Sequence, residues 1–469
     1  MLSWLVKLTF LGAAGTVTGS RYLLDVRARH ILVDCGLFQG RKEIRQRNWE
    51  RLPFDPRGIH AVLLTHAHVD HCAFLPVIVR EGFSGPIYAT PATIDLARLV
   101  LQDSAHIQEE EASYANRKGY SRHHPALPLY TAADAERAME RLRPLGYREA
   151  REIVPGVAAT FGDAGHILGS ANLRLQIDGR HRISVAFSGD IGRYAEPLLN
   201  DPEPIREARW IVCESTYGDR IHERVSDFEP LANAVEAIVE RGGVMVIPAF
   251  AIGRTQTILF GLRELVDRGR IPMLPVYLDS PMAVRATRIF GQHPKDHDVE
   301  ARALMADGTP PLEYPDLRIA STREESEAIN KVDGPAVIIS ASGMATGGRV
   351  LHHLRQRLPE RRNMVVLVGF QADGTRGRAL QDGAGEIKMH GSWVPVRAEI
   401  RTLPGFSAHA DREEILRWLR GFESPPNALY LTHGENGART SLADFIRGTL
   451  GWKVHLPEHL EVVSLSGEA

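Results

Sequence analysis

Cysteine is scarce in this chain. Three in 469 residues, none in a CxxC pair, exclude a disulfide framework and a thiolate metal site, and fit a reducing cytoplasm. Cys35, Cys72 and Cys213 are expected as small buried packing residues. Long apolar runs are missing too: no window offers the roughly 18 residues that a membrane span needs. The opening MLSWLVKLTFLGAAGTVTGS is broken by Lys7 and runs on into strand-like RYLLDV, so it reads as a first β-hairpin and not as a signal peptide. A surplus of one charge is also lacking. Lys and Arg number 56 against 58 Asp and Glu, a net charge of −2, so any phosphate-binding surface has to be local. Two clusters qualify, GRKEIRQRNWER (40–51) and HHLRQRLPERR (352–362); each reads equally well as a solvated helix face. No fixed-period repeat or low-complexity tract occurs.

The length exceeds a usual single core and predicts two domains. Short apolar runs, each ending in a polar or glycine-rich turn, alternate with helix-like stretches such as FEPLANAVEAIVERG and DREEILRWLRGF. That alternation predicts a layered α/β architecture with its chemistry at strand ends. From about 218 to 385 histidines of ligand type vanish, and they return in FSAHAD and LTHGE. The expected division is therefore 1–217 and 386–469 as one domain, with 218–385 inserted between them. The charged stretch 102–129 is expected as a helix and surface loop, with His123 and His124 solvated. LPEHLEVVSLSGEA is expected as a last strand and short tail.

The densest chemistry lies in THAHVDH (65–71), where His66, His68, Asp70 and His71 follow the apolar strand AVLL. Burying so many ionisable groups without a metal would be costly. His66 and His68 can point one way from an extended chain, while Asp70 and His71 need a turn to reach a second point, which suits two ions. Imidazole and carboxylate suit zinc, and two zinc ions can share a hydroxide and hold both oxygens of a phosphodiester displacement. More ligands are required. GHILGS supplies His166, SGD supplies Asp190 as the bridging carboxylate, and LTHGE supplies His433. His66, His68 and His166 would hold one ion, and Asp70, His71 and His433 the other. Asp34, at the end of HILVD, is expected behind them, orienting a ligand imidazole.

The ordered set FLGAAGTVTGSRYLL, DCGLFQG, THAHVDH, GHILGS, SGDIG, CESTYGDR, PAFAIGRTQ, DSPMA, SASGM, GFQADGT, FSAHAD and LTHGE spans nearly the whole chain. It resembles the β-CASP nucleases of the metallo-β-lactamase superfamily, which include the RNA-cleaving subunit of the cleavage and polyadenylation specificity factor and its bacterial and archaeal relatives. The resemblance implies a four-layer αββα metallo-β-lactamase fold with an inserted α/β β-CASP domain. It also implies a ribonuclease, endonucleolytic or 5′ to 3′ exonucleolytic, acting on single-stranded RNA through a hydroxide activated by two Zn2+ ions, with Mn2+ as a substitute. The family's later motifs fall on Glu214, His409 and His433. His409 would protonate the leaving 3′ oxygen, Glu214 would fix its tautomer, and Asp70 counts as catalytic as well as a ligand. A histidine at position 433 points to RNA over DNA. Ser342, Ser407, Arg254 and Arg376 are candidate phosphate contacts. A homo-oligomer is compatible with the sequence and a membrane partner is not expected. Two competing functions are a non-catalytic scaffold subunit of an RNA-processing complex and a small-molecule ester or thioester hydrolase.

Overall fold

The protein is described from a computed structural model covering residues 6–119, 121, 123–179, 183–222 and 228–465; the tail expected beyond 465 lies outside the described residues. The chain divides into two compact units. One comprises Met1–Ala195, Asp201–Ile221 and His409–Ala469, the other Glu196–Asn200 and His222–Ala408.

The first unit is built on two seven-stranded sheets. In spatial order one runs Val462–Ser464, Val6–Phe10, Tyr22–Val26, Arg29–Val33, Ile59–Leu63, Ile87–Ala89, Leu142–Pro144; the other runs Val454–His455, Ala428–Leu431, Trp210–Cys213, Ile183–Phe187, Ala171–Ile177, Val157–Asp163, Arg151–Val154. The hairpin expected around GAAGTVTGS is present, with Val6 opposite Val26 and Phe10 opposite Tyr22. Alternate residues of the two sheets meet in one core that includes Leu8, Phe10, Leu24, Val33, Phe161, Leu173, Phe187 and Val212. Side chains alternate across a strand, so Ile211, Leu429 and Leu431 face the opposite way. They bury against Ile415, Trp418 and Leu419 of helix Arg412–Leu419 and against Leu442 and Ile446 of helix Asn436–Leu450. Leu32 and Val62 are likewise fully buried but stand outside that core, and helix Pro91–Lys118 packs on strand Leu142–Pro144 of the first sheet and on helix Ala132–Met139, which packs in turn on Leu75–Arg80. Helix, sheet, sheet and helix make the expected αββα order.

Strand direction places the chemistry. Arg29–Val33 and Ile59–Leu63 are parallel, as are Ile183–Phe187, Trp210–Cys213 and Ala428–Leu431. Val157–Asp163 is two antiparallel steps from Ile183–Phe187 and so runs the same way. Within each sheet the carboxyl ends of these strands emerge on one edge, where open α/β sheets commonly bind ligands. Asp34, His66, His166, Asp190, Glu214 and His433 all follow those ends.

The second unit is a parallel six-stranded sheet in the order Leu317–Ile319, Val276–Leu278, Ala336–Ser340, Val244–Pro248, Met364–Val368, Glu399–Leu403. Its three central strands are buried at every residue, as expected of strands covered by helices on both faces. This unit continues to Ala408, beyond the boundary expected at 385, because Glu399–Leu403 pairs residue for residue with Met364–Val368.

Candidate metal centre

Each ligand candidate is held by backbone that the sequence specifies locally. His66 follows a fully buried strand end. After His68 the chain turns into the short helix Val69–Cys72, which carries Asp70 and His71 to the other side of the cluster. Gly36 is required by close approach: a Cβ there would lie 1.6 Å from the Asp70 carbonyl oxygen. Gly192, just after Asp190, lets its loop pass the Gly165 carbonyl, where a Cβ would sit at 2.0 Å. Ser170 Oγ accepts the His166 and Ile167 amides at 3.0 and 3.2 Å, fixing the GHILGS turn.

Seven candidate ligands converge in two overlapping groups. His66 Nε2 and His166 Nε2 each lie 3.2 Å from His68 Nδ1, and Asp190 Oδ2 lies 3.3 Å from His66 Nε2 and 3.6 Å from His166 Nε2. In the second group His71 Nε2 lies 3.3 Å from His433 Nε2, with Asp70 Oδ2 at 3.4 Å from His433 and 4.0 Å from His71. Asp190 Oδ1 approaches both, at 3.4 Å from His71 and 3.5 Å from His433 Nδ1. Ligands about 2.0–2.1 Å from a tetrahedral zinc lie about 3.3–3.4 Å from one another, so most of these separations match the edges of such a polyhedron. Asp190 spans both groups, one oxygen toward each. Its Oδ1 is buried without a hydrogen-bond donor, an expensive state that a cation relieves. The residues present therefore fit a metal.

Protonation favours the same reading. Burial above all drives His66 down to about 3 and His68 down to about 4, and holds His166 well below its ordinary value, leaving neutral imidazoles with lone pairs to offer. His71 behaves differently: burial opposes its charge, but Asp190 and Asp34 outweigh burial and hold it well above the usual imidazole value. Burial pushes up Cys35 to about 12 and also raises Cys72 and Cys213. All three are buried thiols.

A layer of acceptors stands behind the ligands. Asp34, at a left-handed φ of 56°, accepts from His71 Nδ1 at 2.8 Å and from Thr65 Oγ1 at 2.9 Å, while Thr65 Oγ1 meets His66 Nδ1 at 3.1 Å. One carboxylate thus orients an imidazole of each group. Thr216 Oγ1 meets His433 Nδ1 at 3.0 Å, and His433 is also left-handed, at 48°. Thr65 and Thr216 escaped the sequence reading; their only signal was a hydroxyl residue beside a ligand or acid at a strand end.

Glu214 and His409 form a third cluster with Asp190 and His433. Glu214 is buried, accepts the Ile191 amide at 2.7 Å and lies 3.2 Å from His409 Nδ1. Burial works against a charged His409, yet Glu214, then Asp190 and Asp70, raise its pKa above the ordinary value. The phosphate candidates lie in the second unit. Ser342 is half-buried and Ser407 buried. Arg254 is buried with its guanidinium on the Phe406 carbonyl, and Arg376 donates to the carbonyls of Lys388, Ala345 and Thr346. Loop carbonyls need donors once buried, and these arginines supply them.

An αββα sandwich with a paired metal-ligand cluster at its parallel strand ends defines a metallo-hydrolase of the metallo-β-lactamase class. Residues 14–169 match the metallo-beta-lactamase superfamily, 255–380 the Beta-Casp domain, and 393–457 the Zn-dependent metallo-hydrolase RNA specificity domain. Ribonuclease TTHA0252 of Thermus thermophilus is 39% identical over 428 residues, covering 90% of this chain and 92% of the relative. Transcription termination factor FttA of Methanosarcina mazei is 33% identical over 474 residues, covering 98% and 72%. A solved protein of unknown function from Enterococcus faecalis shares the fold, with a TM-score of 0.52 at 14% identity over 98% of this chain and 100% of that one. This chain belongs to the β-CASP family of the metallo-β-lactamase superfamily.

Proposed function

We propose that this protein is a metal-dependent ribonuclease that hydrolyses phosphodiester bonds of single-stranded RNA with two zinc ions. The observation that carries this reading is the joining, in one cluster, of two metal-ligand sets and a proton donor: His409 Nδ1 lies 3.2 Å from Glu214 and 4.0 Å from Asp190. The likeness to a relative named as a ribonuclease supports the substrate class.

His66, His68, His166 and Asp190 would hold one ion, and Asp70, His71, His433 and Asp190 the other. Bound divalent metal supplies Lewis acidity and lowers the pKa of water to about 7. The chain's residues do the rest. Asp34 and Thr65 hold His71 and His66 in the tautomers that present Nε2 to the cluster. Glu214 keeps a proton on His409 Nδ1, so the imidazolium can give up the Nε2 proton to the departing 3′ oxygen. Ser342, Ser407, Arg254 and Arg376 are proposed phosphate contacts, the two arginines also bracing loops through carbonyl hydrogen bonds.

The test is digestion of a long single-stranded RNA by the purified chain, before and after chelation, with products followed from both ends. Cleavage lost on chelation and regained with zinc supports the reading. Cleavage indifferent to chelator, or none with metal restored, refutes it.

A further inference from the structure

The basic segment 40–51 plays no part in the metal centre, yet it is tied to the backbone that carries the ligands. The Leu37 amide donates to the Val69 carbonyl at 3.0 Å and the Cys35 amide to the His71 carbonyl at 2.7 Å. Three residues on, Phe38 is clamped by the buried Asn48: its amide donates to Asn48 Oδ1 at 2.9 Å, and Asn48 Nδ2 donates to its carbonyl at 2.8 Å. Arg21, buried beneath, joins the two by donating to the Gly36 carbonyl at 2.8 Å and to Asn48 Oδ1 at 3.3 Å. Asn48 thus ties the arm back to the loop beside Asp70 and His71.

Its remaining residues do not serve the core. The helical turn Lys42–Gln46 buries none of its side chains. A solvated face normally backs an apolar one, and in this turn Ile44 alone is half-buried, the other four residues being exposed. Trp49, next to the clamp, leaves 63% of its surface in water, forfeiting the burial that makes indole valuable to a fold. Five cations, Arg41, Lys42, Arg45, Arg47 and Arg51, accompany only Glu43 and Glu50. Among the described residues no carboxylate lies within ion-pair distance of Lys42, Arg45, Arg47 or Arg51, although Arg45 is near enough to Glu111 to lower its pKa. The guanidinium of Arg47 stands 5.5 Å from the Phe38 ring centroid.

We infer that this arm is a binding surface for single-stranded RNA outside the metal centre, with Trp49 stacking a base and the cations Lys42, Arg45 and Arg51 meeting its phosphates. An aromatic platform among cations is how sequence-tolerant single-strand binding is built, and a fixed clamp makes the platform ready before the ligand arrives. The inference rests on the ribonuclease reading.

The experiment compares the full-length parent with W49A, W49F and K42Q/R45Q. It measures affinity for a phosphorothioate oligoribonucleotide across salt concentrations, and the ratio of kcat/KM on RNA to that on bis(p-nitrophenyl) phosphate. W49A should weaken RNA binding about five- to a hundredfold and lower the ratio alike, with W49F keeping most of both. K42Q/R45Q should flatten the slope of log affinity against log salt by about 0.7 for each phosphate left without its cation. Parent-like affinity and slope in both W49A and K42Q/R45Q would overturn the arm and leave the ribonuclease reading standing. So would a W49A effect confined to the oligomer mass measured by light scattering. A parent that hydrolyses the small diester but does not bind RNA would overturn both readings.

Discussion

The two halves of the proposed metal cluster share Asp190 but differ in how they are prepared for a cation. Around His66, His68 and His166 burial dominates, the imidazoles are neutral, and Asp190 is the carboxylate that completes the group. Around Asp70, His71 and His433 there are more carboxylates: His71 sits between Asp190 and Asp34, and Asp70 is 17% exposed. The first half waits as a ready set of lone pairs. In the second, Asp190 and Asp34 raise the pKa of His71, so a metal there would compete with its proton.

The largest effect should come from the residue that makes the halves one. Asp190→Ala removes an oxygen from each, and both ions and RNA cleavage should be lost, the rate falling about a thousandfold or more; metal analysis of the purified variant alongside cleavage assays checks this. His409→Gln should retain both ions while the rate falls about a hundred- to ten-thousandfold; equal loss of metal would return His409 to a structural role. Acidification should separate the halves. Because His71 is raised, its proton is held below that raised value and competes with metal there, so affinity at the second half falls as pH drops. His66, His68 and His166 are lowered and have no proton to release near neutrality. Calorimetric zinc titrations in buffers of different ionisation enthalpy should therefore show proton release for one ion and little for the other. A smaller shift concerns the alkaline limb of the rate. His409 is raised chiefly by Glu214 working against burial, so activity should persist to a pH above the ordinary imidazole range and fall as pH rises through the raised value. Glu214→Gln should move that limb to lower pH. Last, Thr216→Val should weaken the ion at the His433 side about tenfold and spare the other, as measured by competition with a chelating dye.

Much of the proposed centre was legible because its candidate ligands are local or sit at the ends of apolar runs. THAHVDH puts four of them within six positions, and the strand-end rule brought in His166, Asp190 and His433. Asp34 was reachable for the same reason. Thr65 and Thr216 were not, since a threonine at a strand end is common and only three-dimensional proximity to His66 Nδ1 and His433 Nδ1 gives it work. The end of the second unit was hidden differently. EIRTL is short, without clear alternation, and half-buried at four of its five positions, and only its ladder with Met364–Val368, more than thirty residues earlier, assigns it to that sheet. That Arg254 and Arg376 also satisfy loop carbonyls was hidden too, because no local pattern specifies the path of those loops.

The central claim, one nuclease centre assembled from two unequal metal sites, is tested most directly by adding zinc in steps to chelator-stripped protein while following cleavage of a single-stranded RNA. The account predicts an inactive metal-free protein and activity that rises mainly with the second equivalent. Full cleavage without metal, or saturation at one equivalent, would contradict it.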